Sequence, residues 1–116
     1  MGSAWLLPRI VGLGLATELL MTGDFITAER ALAIGLYNRV VPVDRVLAEA
    51  TEFAIRLANG PSFALGITKD ALDREATMDL ASALEAEAQA QAACMLNPNF
   101  KEAYEAFRAK REPKFQ

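Results

Sequence analysis

The sequence predicts a mainly α-helical chain. Apolar residues recur at helical spacing in several stretches, glycine and proline separate those stretches, and only one short segment favours a strand. The length of 116 residues suits one small domain, which we place over residues 1–116. No linker, internal repeat or low-complexity segment divides the chain.

Two helices are predicted in the first third of the chain. The first lies between Gly12 and Gly23, and Gly23 occupies the position where a left-handed residue would end it. Thr27 can cap a second, shorter helix because its hydroxyl can accept a hydrogen bond from the first turn. Gly35 closes that helix.

The segment Leu36–Val41 is the only candidate strand. It ends in two β-branched residues, and Pro42 stops it. A segment of this length cannot satisfy its own ladder hydrogen bonds, so we expect its partner strand to lie outside these residues. A set of helices with one lone strand indicates part of a longer protein.

Four further helices are predicted from their boundary residues. Asp44 opens a long helix that Gly60-Pro61 ends, and Ser62 is the expected cap of the next. Asp79 is the expected cap of the helix after that. Asn97-Pro98 begins the last one, because proline is favoured at the first helical position.

Composition excludes several classes of function. The net charge of −3 argues against a nucleic-acid partner, no apolar run reaches the length of a membrane span, and no signal peptide opens the chain. The absence of histidine excludes His general bases, Cys–His pairs and His metal ligands. The single cysteine, Cys94, cannot form an internal disulfide and suits a reducing compartment, so we expect a cytoplasmic protein.

The acidic residues between Asp70 and Glu87 do not predict a metal site. They lack the spacing of an EF-hand loop, and no nitrogen or thiolate ligand pair accompanies them. We interpret them as a solvated helix surface.

Four motifs follow one another at fixed distances: LPR-x-VG from Leu7, ELL-x-TG from Glu18, A-x-x-A-x-x-x-GL-x-N-x-VVP from Ala28, and F-x-x-KR-x-P-x-F from Phe107. Together they resemble the C-terminal part of the enoyl-CoA hydratase/isomerase (crotonase) family. The resemblance runs from about Gly2 to the end of the chain. It implies the C-terminal helical region of a crotonase-like fold with one short strand, the sheet-rich spiral core being absent from these residues.

The resemblance also implies the chemistry of the full-length parent. Its substrate would be an acyl-CoA thioester, with no separate cofactor, and it would form a homo-oligomer, a trimer or a dimer of trimers. We rank three alternatives for the reaction of the parent. Hydration of a 2-enoyl-CoA through an enolate is first, double-bond isomerisation is second, and hydrolysis or carbon–carbon cleavage is third. The chain alone is expected to self-associate, because a helical fragment parted from its sheet-bearing half leaves apolar faces bare. The candidate contact residues are Trp5, Phe53, Leu57 and Phe63.

No residue of this chain is assigned a catalytic role. In the family, the oxyanion-hole donors and the catalytic carboxylates precede the LPR-x-VG motif, and no position here matches them. The chain alone is therefore expected to be inactive. Gly2 and Ser3 match the end of a glycine-containing loop at the edge of the pocket.

The terminal motif implies a CoA contact through Phe107, Lys110 and Arg111. Residues from Lys101 onward carry a net charge of +2 on a chain whose first hundred residues carry −5. Lysine and arginine are good phosphate partners, and an aromatic side chain can pack beside the nucleotide. The alternative is that this helix makes subunit contacts and its basic face is only solvated.

A rival interpretation is a non-catalytic helical interaction module of native length. The DNA upstream of Met1 discriminates between the two. An open reading frame with sheet-like segments and a glycine-rich donor loop supports the enzyme, and a ribosome-binding site supports the module.

Overall fold

The computed structural model describes residues 1–116, and its regular structure is entirely helical. The elements are α1 Ser3–Val11, α2 Leu13–Thr22, α3 Ala28–Ala33, a 3₁₀ turn Val43–Arg45, α4 Val46–Ala58, α5 Ser62–Glu75, α6 Leu80–Leu96 and α7 Pro98–Ala109. They divide into two compact units, residues 1–47 and 48–116. The predicted mainly α class is confirmed.

In the first unit, α1 and α2 pack against each other. Gly12, with φ 82° and ψ 157°, separates them in a conformation that side chains with a Cβ avoid. Gly23 ends α2 in the left-handed region, as expected. Helix α1 was not predicted from the sequence, because Pro8 lies inside it and proline removes one helical hydrogen bond.

The predicted cap of α3 is confirmed, and the predicted strand is wrong. The Thr27 hydroxyl accepts a hydrogen bond from the Arg30 N–H at 3.1 Å. The N–H groups of Leu36 and Tyr37 instead donate to the Ala31 carbonyl at 2.9 and 3.1 Å, in the turn that closes α3. Residues 36–41 form no ladder because these 116 residues offer no second strand.

In the second unit, α5 packs against α6, and α6 against α7. The Asp79 carboxylate accepts from the Ser82 N–H at 3.0 Å, and the Asn97 side chain accepts from the Asn99 N–H at 3.0 Å, which confirms both caps. Ser62 is not a cap: it is already the first helical residue of α5, and the preceding proline makes no capping bond.

The buried core is small. The buried apolar side chains are Ala16, Ala31 and Ala106. The accessible surface is 9539 Å², whereas a folded monomer of this mass typically exposes roughly 6,200 Å². Much large apolar side-chain area is therefore uncovered, as at Phe25 and Leu13 in the first unit and Leu47 at its end. No helix is both long enough and apolar enough to cross a membrane.

Candidate functional site

The end of α7 is closed by an unusual lysine. Lys110 has φ 52° and ψ 41°, in the left-handed region, and is the only non-glycine residue with a positive φ. Its N–H donates to the Phe107 carbonyl at 3.2 Å, and the Arg111 N–H donates to the Ala106 carbonyl at 3.0 Å. This pair of bonds is the Schellman arrangement that usually places glycine at the left-handed position. It turns residues 110–116, the tail segment, away from the helix axis.

Glu102 holds the tail segment through one carboxylate. The Arg111 guanidinium donates from Nη1 to Oε1 at 2.6 Å and from Nη2 to Oε2 at 3.0 Å, a bidentate pair. The backbone N–H of Lys114 donates to the same Oε1 at 2.7 Å. Charge-assisted bidentate pairs of this kind fix geometry as well as adding strength.

Asn99 holds the far end of the tail segment. Its Nδ2 donates to the Gln116 carbonyl at 3.1 Å, and the Gln116 N–H donates to its Oδ1 at 3.0 Å. Asn99 is buried, with 8% of its surface exposed, and both sides of its amide are hydrogen-bonded. Because Asn99 and Glu102 are three residues apart, they share one face of α7, and the tail segment returns along that face.

The hydrogen bonds to Glu102 change its acidity. The Arg111 side chain, and after it the Lys114 N–H, lower the pKa of Glu102 from 4.5 to about 2. The pKa of Arg111 is raised above its already high value by the same carboxylate. The pair is therefore fully ionised at neutral pH.

The structure separates the three residues predicted to contact CoA. Phe107 is exposed over 83% of its surface, and Lys110 is exposed and makes no ion pair within the chain. The Arg111 guanidinium is already held by Glu102. Phe107, in the last turn of α7, and Lys110, just after it, are thus both exposed.

The other cations of α7 already have partners. Lys101 pairs with Glu105 at 3.7 Å across one helical turn, and the Arg108 guanidinium lies 5.9 Å from the centre of the Tyr104 ring. The ammonium groups of Lys110 and Lys114 are exposed and make no ion pair within the chain, and Lys110 lies directly at the end of the helix.

The predicted pocket-edge residues lie at the start of α1. Gly2 has φ 90°, and its carbonyl accepts from the N–H groups of Trp5 and Leu6 at 3.1 and 2.9 Å. Ser3 is the first helical residue and is exposed. Gly2 thus caps α1 with its backbone, and the role of both residues at a pocket stays a prediction.

No group of three or more His, Cys, Asp or Glu side chains is placed to hold a metal ion. In the acidic stretch, Asp70 pairs with Arg74 at 3.1 Å, and both side chains are well exposed. This pair is an ordinary surface contact within α5.

Glu102 and Asn99 were not predicted from the sequence. Their spacing on one face of a predicted helix was visible, but their partners Arg111 and Gln116 reach them only after the turn at Lys110. Lysine gives little local indication of such a turn, because left-handed positions favour glycine.

Comparison with known proteins identifies the family. A crotonyl-CoA hydratase of Syntrophomonas wolfei is 36% identical over 114 residues, which cover 98% of this chain and 44% of that protein. The 1,2-epoxyphenylacetyl-CoA isomerase of Escherichia coli K12 is 34% identical over 114 residues, with the same two coverages. A solved structure from Streptomyces coelicolor A3(2) matches with a TM-score of 0.95 and 45% identity, over 99% of this chain and 42% of that one.

The chain spans less than half the length of these relatives, and it matches their C-terminal part. The helical elements correspond to the C-terminal helical region of a crotonase fold, which confirms the expected fold class. The sequence pattern of the enoyl-CoA hydratase/isomerase family matches residues 1–116. The chain therefore belongs to the enoyl-CoA hydratase/isomerase family.

Proposed function

We propose that the complete protein acts on an acyl-CoA thioester and hydrates a 2-enoyl-CoA. The observation that carries this proposal is the family match over residues 1–116, together with a relative named crotonyl-CoA hydratase. Isomerisation is the second candidate, because another relative of similar identity is named an isomerase.

The proposed reaction needs groups of two kinds. Two N–H donors would hold the thioester oxygen as the enolate forms, and a carboxylate would activate the water that adds to the double bond. We assign neither kind to residues of this chain. Its proposed contribution is substrate binding and subunit contact, with the CoA thioester as substrate and no separate cofactor.

We propose that the end of α7 contacts CoA through Phe107, Lys110 and Arg111. CoA carries an adenine ring and phosphate groups. The exposed Phe107 ring can stack on the adenine, and the Lys110 ammonium can pair with a phosphate. Arg111 adds positive charge nearby, although Glu102 offsets it at 2.6 Å. Gly2 and Ser3 are proposed to border the acyl pocket.

The uncovered apolar side chains support an oligomer, which we propose to be a homotrimer or a dimer of trimers. Trp5, Phe53, Leu57 and Phe63 each expose between 41% and 49% of their surface, and large apolar patches drive association. The 116-residue chain should accordingly form a dimer or larger species at tens of micromolar in light scattering. A clean monomer would contradict this. The single thiol, Cys94, supports a cytoplasmic location, which we also propose.

The reaction can be tested with the complete protein and crotonyl-CoA. Hydration removes the enoyl absorbance and yields a product heavier by one water. Conversion of an enoyl-CoA only into a double-bond isomer of unchanged mass would support the second candidate instead.

The CoA contact can be tested with Lys110→Ala combined with Arg111→Ala. We expect the Michaelis constant for the CoA substrate to rise several-fold while kcat stays nearly unchanged, because the contact would be the same in ground and transition states. Lys101→Ala is the matched control, since Lys101 pairs with Glu105 on the same helix. An unchanged Michaelis constant with a normal oligomer would assign α7 a structural role only.

A further inference from the structure

We propose that Glu102 and Asn99 are positioning residues, which hold the tail segment so that Lys110 and Phe107 are presented to CoA. This inference rests on the proposed contact between the end of α7 and CoA. It gives the two adjacent basic residues different roles: Lys110 binds the substrate, and Arg111 anchors the segment.

The backbone at Lys110 has a conformation that lysine disfavours. A side chain with a Cβ is disfavoured at φ 52°, so the turn does not form from local preference alone. Contacts elsewhere must stabilise it, since the residues on either side are exposed.

Glu102 and Asn99 supply these contacts. Glu102 accepts two hydrogen bonds from the Arg111 guanidinium and one from the Lys114 N–H. Asn99 exchanges two hydrogen bonds with the backbone of Gln116. The tail segment is thus fixed at its start, middle and end to one face of α7.

The positive charge of Arg111 is already paired within the chain. Both terminal nitrogens of its guanidinium donate to Glu102, and Nη1 also donates to the Glu112 carbonyl at 3.1 Å. A phosphate would have to displace a bidentate carboxylate to take the same geometry. Lys110, the neighbouring cation, has no such competitor, so in this proposal Lys110 makes the direct ionic contact with CoA, and Arg111 contributes only through its anchoring and its nearby charge.

The anchoring can be measured without any ligand. Glu102→Gln should speed hydrogen exchange of the Lys114 and Arg111 amides by at least several-fold, because the bidentate pair is lost. Glu105→Gln is the matched control: it makes the same change one turn away, on a carboxylate that bonds to Lys101 and not to the tail segment. Equal exchange rates in wild type and Glu102→Gln would overturn the anchoring. If Glu102→Gln does not fold, Glu102→Asp is the second variant. It shortens the side chain by one methylene, which moves the carboxylate away from Arg111 and should also speed exchange of the two amides.

The positioning role is tested by kinetics in the complete protein. Glu102→Gln should raise the Michaelis constant for the CoA substrate several-fold and leave kcat nearly unchanged. Arg111→Glu should do the same. The double variant Glu102→Arg with Arg111→Glu restores the ion pair in reverse and should recover most of the affinity, although its arginine cannot accept from the Lys114 N–H.

The outcomes separate the two proposals. A swapped variant that is as weak as Arg111→Glu alone, although hydrogen exchange at the Arg111 amide shows the tail segment held as in wild type, would show that Arg111 itself binds the substrate. That result overturns the positioning role and leaves the CoA contact standing. A Michaelis constant that is unchanged in Lys110→Ala would overturn the CoA contact and, with it, the positioning role. The exchange measurement would still report whether Glu102 anchors the tail segment.

Discussion

Lys110 occupies a position where its backbone preference conflicts with its conformation. Glycine would adopt φ 52° at lower cost, and it is the usual residue at this point of a Schellman turn. A residue that breaks a local rule without a compensating contact of its own is a candidate for function. Its side chain has no ion pair in the chain, which agrees with an external partner.

Replacing Lys110 by glycine should therefore move stability and binding in opposite directions. We expect Lys110→Gly to raise the free energy of unfolding by about 1 kcal/mol, because the left-handed strain is removed. The Michaelis constant of the complete protein should rise several-fold. Lys110→Ala is the control, because it removes the ammonium and keeps the strain. Urea unfolding and substrate titration measure the two effects, and a destabilised Lys110→Gly would contradict the strain.

Glu102 should make the attachment of the tail segment sensitive to acid. Its pKa is lowered to about 2 in the folded chain, whereas its ordinary value is 4.5. A lowered folded-state pKa means that the stabilisation is fully present above about pH 4.5 and is lost as the pH falls from there through about 2.

An NMR titration of the Glu102 carboxyl group checks this directly, and a midpoint near 4.5 would contradict the ion pair. Glu102→Gln should remove this contribution to acid sensitivity. A smaller contribution to acid sensitivity will remain from Asp79, because the Ser82 N–H lowers the pKa of that carboxyl group as well.

At the scale of elements, two glycines in the second unit should respond oppositely to the same substitution. A Cβ at Gly60, between α4 and α5, would lie 3.0 Å from the Leu65 Cδ1 atom and 3.1 Å from the Leu57 carbonyl oxygen. A Cβ at Gly66, inside α5, would meet nothing within 4 Å.

Gly60→Ala should lower the free energy of unfolding by about 1 kcal/mol through crowding. Gly66→Ala should raise it by roughly 0.5–1 kcal/mol through helix propensity. Thermal or urea unfolding of the two variants is the measurement, and equal shifts of the same sign would contradict the crowding at Gly60.

Features that depend on nearby residues were predictable from the sequence. The caps at Thr27, Asp79 and Asn97 each use a side chain within three residues of its partner. The strand at Leu36–Val41 failed because a strand needs a distant partner to accept its hydrogen bonds. Whether such a segment forms a strand depends on a tertiary contact, and its β-branched composition alone does not determine it.

In the candidate site too, the features that depend on nearby residues were predictable, and those that depend on distant contacts were not. The terminal motif placed Phe107, Lys110 and Arg111 together at the end of a helix, because motif and helix are both local. The different environments of Lys110 and Arg111 depend on Glu102, nine residues before Arg111, and on the turn between them. Spacing alone did not assign that contact.

At the scale of the whole molecule, the 116-residue chain expressed by itself should show no hydratase or isomerase turnover. We assign none of its residues to the oxyanion-hole donors or catalytic carboxylates that the family resemblance implies, so this expectation stays a prediction. Crotonyl-CoA incubated with the purified chain should react at the rate without protein. A turnover number near 1 per second, an ordinary value for an enzyme, would contradict this expectation.

The small buried core has a calorimetric consequence. The heat capacity change on unfolding follows the apolar area that unfolding newly hydrates, and a typical chain of this length gives roughly 1.5 kcal/mol/K. With only three buried apolar side chains, all alanine, a dilute chain should fall well below that value and melt over a broad temperature range. Association covers further apolar surface, so the heat capacity change should increase with protein concentration, and the transition should sharpen.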